Sequence, residues 1–159
     1  MQKQQNLKYE SGFSLAELMI VIAIMGLIIG VSTYAWTATI CGANEVAAIG
    51  YVDKIAKAEA QFAARNQGKY AKSLDELIAE GLLDQKFAGE KPLVNGYYFE
   101  VKVAATYAEK MPKFAIFASP EIDSGVSATG TRYFYLDPNL SAIRFTKEKR
   151  PATPDDSSV

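Results

Sequence analysis

The chain has 159 residues, room for about one domain, and its charged residues, 22% of the total, nearly cancel to a formal net charge of −1, so nothing marks a nucleic-acid partner. It contains no histidine, which removes the usual general base near neutral pH, the commonest zinc ligand and the middle member of a Ser/His/Asp triad; with no recognisable nucleophile–base pair or metal set, neither an enzymatic role nor a cofactor is expected. The single cysteine, Cys41, closes no intrachain disulfide and supplies no paired-thiol motif.

Residues 1–12 are polar, carry Lys3, Lys8 and Glu10, and end in Ser11-Gly12; they have the character of a leader. From Leu18 to Asn44 there is no charged residue, and Leu18-Met-Ile-Val-Ile-Ala-Ile-Met-Gly-Leu-Ile-Ile-Gly-Val31 is almost wholly apolar. A bilayer core takes roughly 20 such residues as helix, so 13–40 is expected to span a membrane. Lys3 and Lys8 precede the span and the first charge after it is Glu45, which favours a cytoplasmic N-terminus and a head outside the cytoplasm.

Beyond the span, Val46, Ile49, Val52, Ile55 or Ala56, and Phe62 recur at helical steps, with Glu45, Asp53, Lys54, Lys57 and Arg65 largely between them. The pattern predicts one helix from about Ser14 to Asn66, roughly 80 Å long, stopped by Asn66-Gln67-Gly68. Ser73-Leu-Asp-Glu76 has the spacing of a capping box, and Leu74, Leu77 and Ile78 make a short apolar stripe before Gly81. After Pro92 the period becomes two at Tyr97–Val103, and three further strand-like runs follow at Phe114–Ala118, Arg132–Leu136 and Ala142–Phe145. Asp137-Pro138-Asn139 reads as a turn. The expected fold is α+β, a long helix packed on a small antiparallel sheet of about four strands in a head over 41–146. The tail 147–159 has too little apolar surface to fold and is expected to lack structure.

The segment Gly12-Phe13-Ser14-Leu15-Ala16-Glu17, running directly into the apolar stretch, strongly resembles the N-terminal signal of type IV prepilins and type II secretion pseudopilins. The resemblance covers about the first thirty residues. It implies cleavage after Gly12 by a membrane prepilin peptidase that also methylates the new N-terminal Phe13, insertion in a bacterial inner membrane, and self-assembly on an inner-membrane platform into a periplasmic or extracellular filament. The family gives its glutamate, here Glu17, a role in assembly. Physically, a carboxylate in a membrane helix costs about 2.5–3.5 kcal/mol at the bilayer centre, which the apolar residues offset at about 0.3–0.6 kcal/mol each. An intramembrane acid calls for a partner, and the amine of Phe13 on a neighbouring copy would provide it. Gly26 and Gly30 form Gly-x-x-x-Gly, which permits close helix approach in lipid and is also common in membrane helices generally. Where many family members carry a helix-breaking proline, Tyr34 stands here, and there is no pair of C-terminal cysteines, which leaves pilus against pseudopilus open.

Other readings compete. Glu17 alone fits an interfacial polar residue. A secretory signal peptide combines a basic start with an apolar run, but this run is long and begins with an acid; lipoprotein processing needs a small residue before the cysteine, and Ile40 precedes Cys41. Cys41 reads as a small buried or lipid-facing residue, and Tyr97, Tyr98, Phe99, Tyr133, Phe134 and Tyr135 as packing aromatics. Asp84, Asp123 and Asp137 lack the spacing of a calcium loop, so no metal is assigned. The functional alternative is a minor pilin or single-span anchored protein whose head binds a ligand or DNA, though no basic cluster marks a groove.

Overall fold

A computed structural model describes residues 12–103 and 114–159, with the backbone alone for 31–34; of the expected leader, only Gly12 lies within it. The chain divides into two compact units, Met1–Ala35 and Trp36–Val159. One helix, α1 (Leu15–Arg65), contributes to both, close to the expected Ser14 to Asn66. It ends where Gln67 and Gly68 take positive φ and the Gly68 N–H donates back to the Ala63 carbonyl at 2.8 Å, satisfying carbonyls that the last turn leaves open.

In the first unit every large apolar side chain from Leu18 to Ile29 is at least 42% exposed. The most apolar 18-residue window of α1 has none of its residues buried.

The second unit packs the rest of α1 and a short helix α2 (Leu74–Ala79) with a six-stranded antiparallel sheet in the order β1 to β6. The strands are β1 (Leu93–Val94), β2 (Tyr97–Val103), β3 (Phe114–Pro120), β4 (Tyr133–Leu136), β5 (Arg144–Thr146) and β6 (Ser157–Ser158). The sheet thus has six strands rather than about four, and both additions are two-residue edges. Asn95 and Gly96, both at positive φ, turn β1 into β2 with Val94 opposite Tyr97, as an Asn-Gly hairpin requires. A Cβ on Gly96 would also lie 2.7 Å from Thr129 Cβ.

Alternation decides which strand side chains face the helix. Tyr97 and Phe99 of β2, Phe114, Ile116 and Ala118 of β3 and Phe134 of β4 share one core with Val52, Ile55, Leu74 and Leu77, and Tyr51, Phe87 and Phe99 meet edge-on at 5.3–5.9 Å. The helix stripe sits one residue earlier than expected at its start: Val46 is 69% exposed and Glu45 is buried. The α2 cap forms as its spacing predicts, Ser73 Oγ accepting from the Glu76 N–H, but the Glu76 carboxylate reaches one residue further back, to the Lys72 N–H at 2.8 Å.

The tail 147–159 corrects the sequence expectation, because it crosses the sheet's other face. Ala152 is buried there against Ala115 and Tyr135, and β6 pairs with β5. What apolar area alone does not supply comes from an ion pair: Arg150 donates two parallel bonds to Asp156 at 2.8 and 2.6 Å, and Asp156 also accepts from Thr153 N–H and Oγ1. Such a bidentate clamp fixes a short segment that few side chains hold.

Glu59 of α1 is fully buried. Its Oε2 accepts from the Ala71 N–H at 3.0 Å, pinning the connection to α2, while Oε1 has no hydrogen-bond partner among the described residues. Burial lifts its carboxyl from 4.5 to about 7, the Ala71 amide opposing and the Glu76 carboxylate adding to the rise. A folded-state value above the unfolded one means the native state holds the proton more tightly, so stability falls as pH rises from 4.5 through 7. Urea unfolding of the full chain in detergent across this window should show a loss of up to about 3 kcal/mol, and Glu59→Gln should flatten the slope and exceed wild type in stability at pH 8.

Candidate functional site

The Gly12–Phe13 peptide bond lies just before α1, outside any regular element, with both residues exposed and the Phe13 side chain 85% so. Helix initiation follows at once. Ser14 Oγ accepts from the Ala16 N–H at 3.3 Å, and Glu17 Oε2 accepts from the Ser14 N–H at 2.9 Å. The Glu17 bond is the return half of a Ser-x-x-Glu capping box, while the Ser14 hydroxyl caps the second amide of the helix in place of the third. Glu17 therefore has a partner in its own chain while the Gly12–Phe13 bond is intact, where the sequence reading had looked for one only on another copy. The spacing from Ser14 to Glu17 was signal enough to find it. The carboxylate also sits where the helix dipole favours negative charge.

Gly26 and Gly30 are one turn apart on α1, and a Cβ built on either meets nothing within 4 Å. Two missing side chains at this spacing leave a shallow groove on an apolar rod, enough for the backbone of another helix to come close.

A second constellation lies in the head and is not marked by any sequence motif. Thr37, Cys41, Asn44 and Glu45 follow one another along one face of α1, and each grips the β3–β4 connection. Thr37 Oγ1 donates to the Val126 carbonyl at 2.8 Å, Cys41 Sγ to the Ala128 carbonyl at 3.2 Å and Asn44 Nδ2 to the Thr129 carbonyl at 2.8 Å. Glu45 closes the row, accepting from the N–H and hydroxyl of Thr131, both at 2.8 Å, and from Arg132 Nε at 2.6 Å. Cys41 is buried as expected, but as a donor in this seam. Space at its end is tight: a Cβ on Gly130 would lie 2.1 Å from Tyr97 Oη, the phenol that donates to the Arg132 carbonyl.

Burial raises the Glu45 pKa, but the Thr131 amide and hydroxyl and the Arg132 guanidinium outweigh it and leave the carboxyl below its ordinary value. The stability it lends is present above about 4.5 and is lost as pH falls through the lowered folded value. The three loop aspartates are each held by groups other than one another: Asp84 pairs with Lys54, Asp123 with Lys149, Ser124 and Tyr133, and Asp137 with the Tyr135 hydroxyl and the Asn139 N–H. Removing the cation of the seam with Arg132→Met should strand a buried carboxylate. The expected loss is roughly 2 kcal/mol in urea unfolding at pH 7, less than the 3–5 kcal/mol of a fully buried pair because Arg132 keeps some solvent access.

Residues 7–33 match the family model described as the prokaryotic N-terminal methylation motif. The match takes in Gly12, Phe13, Glu17, Gly26 and Gly30 together. No curated protein and no solved structure matches the chain. That methylation motif is the type IV pilin and pseudopilin signature, and this chain carries it over residues 7–33.

Proposed function

We propose that the chain is a structural subunit of a type IV pilus or type II secretion pseudopilus, built as a precursor and assembled through its N-terminal helix. The observation that carries the reading is the matched segment 7–33, which joins a Gly-Phe bond to a helix whose apolar side chains from Leu18 to Ile29 have no cover among the described residues. In this reading 13–40 spans the inner membrane with the N-terminus cytoplasmic. Prepilin peptidase cuts after Gly12 and methylates Phe13, and an inner-membrane platform adds subunits to a filament outside the cytoplasm.

The capping box gives the chemistry of that step a definite starting point. Cleavage leaves Phe13 as a cationic terminus one residue before Ser14. A helix cap trades one neutral amide against solvent, whereas an amine from a neighbouring copy offers Glu17 a full opposite charge. Two unit charges about 4 Å apart attract by about 4 kcal/mol at an effective dielectric of 20, more than the roughly 1.5–3 kcal/mol of a hydrogen bond to a charged group. Glu17 is thereby free to exchange its intrachain cap for an intersubunit ion pair, and the pair sets the register of the incoming copy. Gly26 and Gly30 let the helices approach.

The test is chemical and comes in two parts. N-terminal sequencing and mass spectrometry of the protein recovered from cells expressing the peptidase should give N-methylated Phe13 as the first residue; a start anywhere else overturns the reading. Glu17→Ala should still be cut after Gly12 but should enter sheared filaments at least about tenfold less than wild type, the factor that 1.4 kcal/mol already supplies. Equal incorporation would remove the proposed role of the carboxylate.

A further inference from the structure

Two uncharged stretches far apart in sequence meet in the head. One is the stretch of α1 from Trp36 to Asn44; the other is the β3–β4 connection from Ser124 to Thr131, flanked by Asp123 and Arg132. The Thr37, Cys41 and Asn44 hydrogen bonds lay the second along the first. At the tip of this connection Gly125 takes positive φ, and Val126 presents its side chain 81% exposed, beside an α1 segment where Trp36 is 72% exposed. Loop tips in water are usually polar or small. An apolar side chain held outward by a bond from its own carbonyl to a helix is placed there by the fold.

The position of Trp36 along the sequence says what covers it. The uncharged apolar run begins at Leu18, and a bilayer core takes about 20 helical residues, which brings its far boundary to the level of Trp36 and Thr37. Tryptophan is enriched at that boundary. Because Thr37 Oγ1 bonds the Val126 carbonyl at 2.8 Å, Val126 is fixed at the same level as the tryptophan's neighbour.

We infer that the β3–β4 tip, with Val126 at its end, is a membrane-contacting element of the head: together with Trp36 it rests in the headgroup layer of the bilayer while the subunit is anchored. The partner is the lipid surface, recognised by an uncharged, weakly apolar rim. This inference rests on the proposed reading that 13–40 spans a membrane.

The chain carries a single tryptophan and a single cysteine, which makes both positions addressable. The full chain is placed in phosphatidylcholine–phosphatidylglycerol vesicles containing lipids brominated near the headgroup. Trp36 is read directly. Val126→Cys in a Cys41→Ser background, which keeps a donor for the Ala128 carbonyl, is labelled with the environment-sensitive fluorophore NBD, and Ser141→Cys serves as an exposed control. Quenching of both Trp36 and the label at 126, with the label at 141 unaffected, is the expected result. Quenching of Trp36 alone would overturn the inference and leave the spanning reading standing; quenching of neither would overturn both. A blue shift at 126 that ignores bromine and grows with the protein-to-lipid ratio would mean that a second copy covers the tip, and would overturn it as well.

Discussion

One helix has to satisfy two solvents, and the rest of the structure follows from that constraint. Before residue 36, α1 exposes leucine, isoleucine and methionine on every side, so no sheet laid against one face could hide them. Each fully buried side chain of this kind gains about 1.5–3 kcal/mol, a large driving force that the chain leaves unused on its own. Lipid can take it up, and so can further copies of the same helix. In the head, the same helix buries a narrow stripe and leaves the remainder to water.

The two halves are tuned by carboxylates at three depths. Glu17 starts the helix by capping Ser14. Glu45 ties the helix to the β3–β4 connection through Thr131 and Arg132, and Glu59 pins the connection to α2 through the Ala71 amide. Their environments differ enough to give Glu45 and Glu59 opposite shifts: a guanidinium compensates burial at one, and a single amide does not at the other. Acid and base thus loosen different seams of one small domain.

Much of this was legible from residue patterns. The helix, its stop at Gln67-Gly68, the Ser73 cap and the four central strands came from periodicity and punctuation, because each depends on neighbours within a few positions. The failures were long-range. Glu45 was read as solvent-facing because a carboxylate scores as polar, and its partners lie more than eighty residues away. β6 and the tail were missed because Ala152 and the Arg150–Asp156 clamp hold them with little apolar surface. β1 was missed although Asn95-Gly96 announced a hairpin, since a strand of two residues has no period to count. At the N-terminus Gly12, Phe13, Glu17, Gly26 and Gly30 lie in one matched segment, and the bond from the Ser14 N–H to Glu17 follows from a three-residue spacing that the charge of Glu17 masks.

The shortness of β1 and β6 has a consequence for how copies of this protein can meet. A sheet invites a neighbour to extend it wherever a long row of backbone donors and acceptors lies open at the margin. Here both edge strands are two residues long, the Val159 N–H is already bonded to the Ile143 carbonyl, and just past β1 the Phe99 N–H is taken by the Pro92 carbonyl. Among the described residues, what stays open to a second strand is the stretch of β2 past Phe99, where Glu100 and Lys102 put charge at the margin and discourage edge-to-edge pairing.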